Sequence, residues 1–351
     1  MPASTAAPDV RTQPPAPKAL GVARRTLVRP ELAAAIAAVL VFVYFALAAG
    51  DAGFLSQTSF QNTLEAAATV GILAAPITLL LVAGEFDLSV GAMVGASQIL
   101  VAYPLVEHGW PLWAAALLAC GVGALVGVIN GVLVVKAGVP SFIITLGSFF
   151  WIRGTAQGLT TATVETTTIP GVREHAGDGP LLSILGGTID GYSVAIVWFV
   201  VVVALAAWVL SRTATGNRIY AIGGNLEAAR RAGVASNRMK IGLYVTSAVA
   251  ASLVGILLTF QINQGDVNAG VGLEFETFAA AAIGGAALTG GIGSPIGTAI
   301  GAILFGMVSQ GFFFTNIPDQ WYQTFLGVIL VVAVMVNTHV HRFMVRVRTR
   351  A

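Results

Sequence analysis

The sequence predicts an all-α integral membrane protein with about ten transmembrane helices. Three observations carry that expectation. Of 351 residues, 56% are hydrophobic and only 10% charged, against about 25% charged in ordinary soluble domains, and mean hydropathy is +0.84. Apolar runs long enough to cross a bilayer recur along most of the chain. Basic residues gather in the intervals that alternate crossings would place on one side. The 41 glycines suit close helix packing in lipid. The single Cys120 offers no disulfide or metal framework.

In chain order, residues 1–30 are rich in Pro and Ala, show no hydrophobic period, and are expected to form a disordered cytoplasmic tail. From Leu32 to Ala49 the chain is apolar throughout, enough for about 27 Å of helix. A cleaved signal peptide fits less well, because the leading region is too long and the apolar run exceeds the usual core of such peptides. Further spans are predicted near 64–83, 87–105, 112–135, 140–155, 192–211, 241–261, 273–290, 295–313 and 321–338. Pro76 should kink the second. The third and eighth are Gly-rich and begin with acids, so they are candidates for broken or re-entrant segments. The membrane domain thus runs over 31–338, and 339–351 is a basic cytoplasmic tail.

Charge supports an even count with both termini inside. Arg11, Lys18, Arg24, Arg25, Arg29, Lys136, six basic residues of the central loop, and Arg342, Arg346, Arg348 and Arg350 then face the cytoplasm. Only Arg153 and Arg173 fall outside, where the acids Asp51, Glu107, Glu165, Glu174, Asp178, Asp190, Asp266 and Asp319 collect. The outer segment 156–191 is Thr-rich, then Gly-rich, with room for a short surface helix. Gly123, Gly127 and Gly131 recur every four residues, as do Gly293, Gly297 and Gly301. The two stripes lie on spans of opposite direction, as an inverted repeat would place them, although two ordinary packing faces would look the same.

The central loop, 212–240, is the most informative interval. It holds Arg212, Arg218, Arg230, Arg231, Arg238 and Lys240 against one acid, Glu227. Leu226–Ala232 consists of strong helix formers, with Asn225 as N-cap and Gly233 as the stop. A short helix should therefore lie on the inner face of the membrane, presented to the cytosol.

No catalytic constellation is visible. His108, His175, His339 and His341 lie in loops or the tail, without an HExxH or GxSxG motif, and no lysine follows glycine as a P-loop requires. The sequence therefore gives no reason to expect an enzyme, a bound metal, or a cofactor held by this chain. At GEFDLSVG, Glu85 and Asp87 stand at a membrane boundary. Acids there are candidates for an ion site. The competing reading has Asp87, helped by Ser89, capping the next helix while Glu85 sits in the headgroup region. Asn130, Gln157, Gln261, Asn263 and Gln264 are uncharged polar positions at or near spans, as a pathway for a hydroxylated solute would want, and as helix ends also carry. Trp110, Trp113, Trp151, Trp198, Trp208 and Trp321 fit interfacial belts.

The segment TGNRIYAIGGNLEAARRAGVASNRMK resembles the middle cytoplasmic loop of permeases of the ribose-type ABC importer family. The likeness rests on Gly216, Arg218, Tyr220, Ala221, Gly223, Gly224, Asn225, Ala228, Ala229, Gly233, Arg238 and Lys240. GEFDLSVGAMVGAS and AAIGGAALTGGIGSPIGTAIGAILFG are similar to two further family motifs, in the same order. Glu85–Phe86, Leu288–Thr289 and Val234 depart from the family pattern, and the tail before Glu31 has no counterpart in it.

The resemblance implies a bacterial inner-membrane permease that pairs with a second permease copy. It implies that a cytoplasmic ABC ATPase spends ATP and Mg, and that an extracytoplasmic solute-binding protein delivers a monosaccharide or related polyol. Gly223, Gly224, Asn225, Glu227, Ala228, Ala229, Arg230, Arg231 and Gly233 would then form the coupling helix on the ATPase, with anionic-lipid contact the alternative for the two arginines. Nothing implies a nucleic-acid partner. The rival class is an ion-coupled secondary transporter using Asp87 or Glu85.

Overall fold

Lipid cannot satisfy free backbone N–H and C=O groups, so long apolar runs become helices. The computed structural model describes residues 30–315, 317, 318, 320–329, 331, 332 and 335. Of the predicted tails 1–30 and 339–351, all but Pro30, which begins the first helix, lie outside the described residues. Helix α1 (Pro30–Ala49) passes through a π turn at Gly50–Phe54 into α2 (Gln57–Val82), α3 (Val90–His108), α4 (Leu112–Ala137) and α5 (Ser141–Val164). A small outer cap follows: β1 (Thr168–Pro170), α6 (Val172–His175), α7 (Pro180–Gly186), β2 (Thr188–Ile189) and β3 (Tyr192–Ser193). Then come α8 (Ala195–Arg212), α9 (Ala214–Gly224), α10 (Leu226–Arg231), α11 (Ser236–Gln261), β4 (Gln264–Asp266), α12 (Leu273–Ile283) and α13 (Pro295–Phe314). Residues 320–329 are again helical.

Among the described residues, seven helices are long and apolar enough to cross a membrane: α1 with its π turn, α2, α3, α4, α8, α11 and α13. The expected count of ten differs from this for three reasons. The predicted span at 140–155 forms a 24-residue helix, α5, but Arg153 and a run of Thr, Ser and Gln dilute its apolar character. The span predicted at 273–290 stops at Ile283, leaving α12 only 11 residues. That is about 16 Å of helix, half a bilayer core. Gly285, Gly290 and Gly291 then take positive φ, which ends any helix. The last predicted span, 321–338, is described only in part. The third predicted span is not broken: α3 runs unbroken over 19 residues.

At the centre lies α11, packed along α4, α3 and α2, while α13 packs along α2, α1 and α12. Close approach explains the glycine stripe of α4: side chains at Gly123, Gly127 or Gly131 would overlap Ser252, Tyr244–Val245 and Ile241 of α11. Gly297 and Gly301 press instead on the backbone of Gly284 and Ala280 in and after α12. The two stripes therefore serve different neighbours. Most of α2 is enclosed by protein, whereas the spans of α1 and α8 are mostly uncovered, with Leu40, Leu47, Val200 and Trp208 exposed as lipid-facing side chains would be. Trp110, Trp113, Trp151 and Trp321 are exposed too, and Trp198 donates its indole N–H to the Ile184 carbonyl.

At one end of the bundle, β1 pairs antiparallel with β4, Thr168 opposite Asp266. Arg173 fastens this cap by donating to the carbonyls of Phe260 and Gly186, both at 2.6 Å. The opposite end carries α9 and α10.

Candidate functional site: the 84–89 loop and the basic helix

After α2 the chain turns at Gly84, φ +81°, and runs into the protein interior rather than along its rim. Glu85 is 7% exposed and forms an ion pair with Lys240 in the first turns of α11. The expectation that Glu85 sits among lipid headgroups is thus corrected. A partner was available deep in the fold, and a buried carboxylate needs one. Lys240, counted with the exposed basic loop, is buried with it. Phe86 donates its N–H to Ser141 Oγ at 3.0 Å and accepts from Tyr244 Oη at 2.9 Å.

Asp87 is fully buried. Its Oδ1 accepts from Ser89 N at 3.0 Å and Ser89 Oγ at 2.5 Å, and its Oδ2 accepts from Ser247 Oγ at 2.5 Å. Asn130 Nδ2 donates to Ser89 Oγ at 2.9 Å, and Asn130 Oδ1 accepts from Ser148 Oγ at 2.5 Å. One chain of polar side chains therefore ties the start of α3 to α4, α5 and α11. Ser89, not Asp87, occupies the N-cap position of α3 and makes no side-chain cap bond; Asp87 instead holds the Ser89 N–H, and the network it heads reaches three further helices. For the ion-site reading, Glu85 is already engaged by Lys240, and the Asp87 oxygens are taken by three protein donors. No group of three or more His, Cys, Asp or Glu suited to a metal occurs among the described residues.

The other polar candidates lie elsewhere. Gln157 is exposed on α5, and Gln261 is exposed at the end of α11, about 21 Å along the helix from Ser247. Asn263, at φ +53°, accepts from Arg173 N at 2.8 Å and donates to Glu174. It is a joint of the outer cap. The structure brings Asp87, Ser89 and Asn130 together and leaves Gln157, Gln261 and Asn263 apart from them.

At the other end, α10 forms where its residues predict. Asn225 Oδ1 accepts from Ala228 N at 2.9 Å. Gly233, at φ +81°, closes the helix through bonds from Gly233 N to the Arg230 carbonyl and from Val234 N to the Ala229 carbonyl. Ala229 is buried as the pivot. Glu227 and Arg231 pair at 3.2 Å on the exposed face, and Arg230 folds back onto Ser236 Oγ at 3.2 Å. The preceding helix α9 was not among the expected elements, its Gly216, Gly223 and Gly224 being poor helix formers. Thr213, whose hydroxyl accepts from Gly216 N at 3.2 Å, was the capping signal that could have revealed it.

Helix α9, which leads directly into α10, is seated on the membrane helices. A side chain at Gly223 would overlap the Val82 carbonyl at the end of α2. Gly291 N donates to that same carbonyl at 2.8 Å, and Tyr220 Oη donates to the Gly293 carbonyl at 2.9 Å. These contacts place the end of α9, just before α10, against the end of α2, next to the 84–89 loop.

Comparison with known proteins gives the same direction. Residues 59–334 match the family model described as "Branched-chain amino acid transport system / permease component". The chain is 34% identical to the probable ABC transporter permease protein YphD of Escherichia coli K12, over 85% of this chain and 87% of that protein. It is 30% identical to the xylose transport system permease protein XylH of the same organism, covering 88% and 91%. With the ribose import permease protein RbsC it shares 31% identity, covering 81% and 87%. No solved structure matches.

Proposed function

The chain belongs to the family of permease components described for branched-chain amino acid transport, and from that premise we propose that it is the membrane-spanning subunit of an ATP-driven importer for a monosaccharide or related polyol. Sugar is favoured over amino acid because relatives matched along most of their length are named for xylose, ribose and fructose import. The chain is a transport component rather than an enzyme, and ATP hydrolysis belongs to a separate cytoplasmic subunit.

The single observation that carries the coupling role is the capped, exposed helix α10, which continues directly from α9, whose Gly223 lies flush on the Val82 carbonyl at the end of α2. In this reading its free face of Glu227, Ala228 and Arg231 docks into the ATPase, and closure of the ATPase on ATP pushes α10 as a rigid piece. The residues Gly223, Gly224, Asn225, Ala229, Arg230 and Gly233 shape and seat it. Asp87, Ser89 and Asn130 hold the receiving loop. An extracytoplasmic binding protein would meet the β1–β4 cap, and a second permease copy would complete the pore.

Topology follows the same proposal. The seven long helices, α5, the half-crossing α12 and the helix at 320–329 make ten membrane segments, with both termini cytoplasmic by the placement of basic residues. An inverted repeat is supported by packing. Exchanging α2, α3 and α4 for α11, α12 and α13 maps the close pair α4–α11 onto the close pair α13–α2.

The test is uptake of radiolabelled D-xylose, D-ribose and D-fructose into vesicles holding this chain with its ATPase and binding protein. ATP-dependent accumulation is expected. Uptake that survives ATP depletion and collapses with an uncoupler would favour ion coupling and refute the proposal. Orientation is tested separately with Ala228→Cys, on the exposed face of α10, in a Cys120→Ala background; it should resist impermeant thiol reagents added outside intact cells and react once the membrane is permeabilised.

A further inference from the structure

Four buried side chains have a polar atom with no partner among the described residues on or beside one seam of the bundle: Ser97, Gln98, Glu274 and Thr277. Leaving a buried polar atom unpaired costs about 1–3 kcal/mol, so each such atom asks for a reason. The seam is where α3 lies flush on residues 265–274. A side chain at Gly91 would overlap Glu274 and the Gly270 carbonyl, and one at Gly95 would overlap the Val267 carbonyl. Gln98 continues that face of α3. Its Oε1 accepts from Asp266 N at 3.0 Å, leaving Nε2 as a free donor. Glu274 Oε2 points at Gly91, and Thr277 follows one turn later on the same face of α12. Arg153 edges the seam, donating to Asn268 Oδ1 at 2.9 Å and lying within electrostatic reach of Glu274.

An acid in the first turn of a helix is also a simple answer to the helix dipole. That accounts for a carboxylate beside the backbone N–H groups that open α12. It does not account for Oε2, for the Thr277 hydroxyl or for the Gln98 amide.

We propose that this seam is the closed form of the solute passage, and that Gln98, Glu274 and Thr277 hydrogen-bond a polyhydroxylated solute when it parts. A free amide donor, a free carboxylate oxygen and a hydroxyl together complement the donor and acceptor pairs of adjacent sugar hydroxyls. The glycines at positions 91 and 95 let the walls meet without trapped side chains, so the passage closes fully between cycles. This inference rests on the importer reading above.

The experiment uses the complete importer in vesicles, comparing wild type with Gln98→Leu, Glu274→Gln and Thr277→Val for D-ribose, D-xylose and D-fructose. The expected result is that uptake ratios among the three sugars shift at least about threefold in one or more variants, which a loss of folding alone would not produce. In parallel, Thr277→Cys on a Cys120→Ala background is probed with a hydrophilic thiol reagent. Labelling at least about tenfold faster during turnover than at rest is expected. Wild-type transport of none of the three sugars would overturn the sugar reading itself. Wild-type transport with unchanged ratios in every variant, and equal labelling of Thr277→Cys in both states, would overturn the seam alone.

Discussion

Lys240 and Glu85 form a buried ion pair between positions 155 residues apart, with side chains only 11% and 10% exposed. The pair joins the start of α11 to the loop after α2, so each charge is tolerable only because of the other. Removing one leaves an uncompensated buried charge, which costs about 3–5 kcal/mol. Lys240→Met and Glu85→Gln should therefore each lower thermal stability in detergent sharply. The double variant should regain most of the loss. Additive losses in the double variant would show that the two charges act independently.

Asn130 stands between Ser89 and Ser148 and serves both. Asn130→Ala removes an acceptor and a donor at once in a fully buried place, and a cost of about 1–3 kcal/mol is expected. Asp87→Asn places an amide N–H2 against Ser247 Oγ, which can accept from it by turning its own proton to the Tyr244 carbonyl 3.0 Å away, so this variant should cost less than Asn130→Ala. Because both residues share Ser89, the double variant should lose less than the sum of the two. Melting curves of the three variants decide this.

The contrast between these residues and α10 explains how much was legible in the sequence. Asn225 and Gly233 act within four residues of their own positions, so capping chemistry could place α10 without any knowledge of the fold. The apolar runs likewise fixed most helices, because each carries its own length and composition. Glu85 has its partner far away in sequence, and no local pattern pointed to Lys240. The same holds for Asn130, which read as an isolated polar residue until α3, α5 and α11 surrounded it. The early stop of α12 lay between: its glycines were visible, but the choice between a broken and a continuous span depended on the packing of Gly284 against α13.

Gly223 and Gly224 are neighbours with opposite freedom. A methyl on Gly223 would overlap the Val82 carbonyl, whereas Gly224 has open space around its missing side chain. Gly223→Ala must push α9 off the end of α2 and should reduce transport at least about tenfold by loosening the seat of α10. Gly224→Ala should leave transport within about twofold. Equal behaviour of the two variants would count against the α9–α2 contact as the transmission point.

Arg231 tests the docking face apart from stability. Its ion pair with Glu227 is exposed, at 80% and 67% for the two side chains, and such surface pairs are worth about 0–1 kcal/mol. Arg231→Glu should therefore leave the melting temperature of the isolated permease nearly unchanged. If α10 docks on the ATPase as proposed, the variant should nevertheless lower solute-stimulated ATP hydrolysis by the assembled importer several-fold, because it reverses charge on the proposed docking face. Normal stimulation would remove Arg231 from that face.

Glu174 gives the outer cap a pH dependence. Its carboxylate is held below its ordinary value of 4.5, first by its own backbone N–H, then by the Asn263 amide, with His175 and Arg173 adding smaller effects. A carboxylate whose folded value is depressed contributes stability above its unfolded value and loses it as the pH falls through the folded one. The contribution of Glu174 should thus be complete above about pH 4.5 and fade below it. The check is the difference in melting temperature between wild type and Glu174→Gln, followed from about pH 6 to about pH 3. It should be constant in the upper part of that range and shrink in the lower part. A difference that grows as the pH falls would have the wrong sign and would mean that the Asn263–Glu174 joint does not hold the charged form.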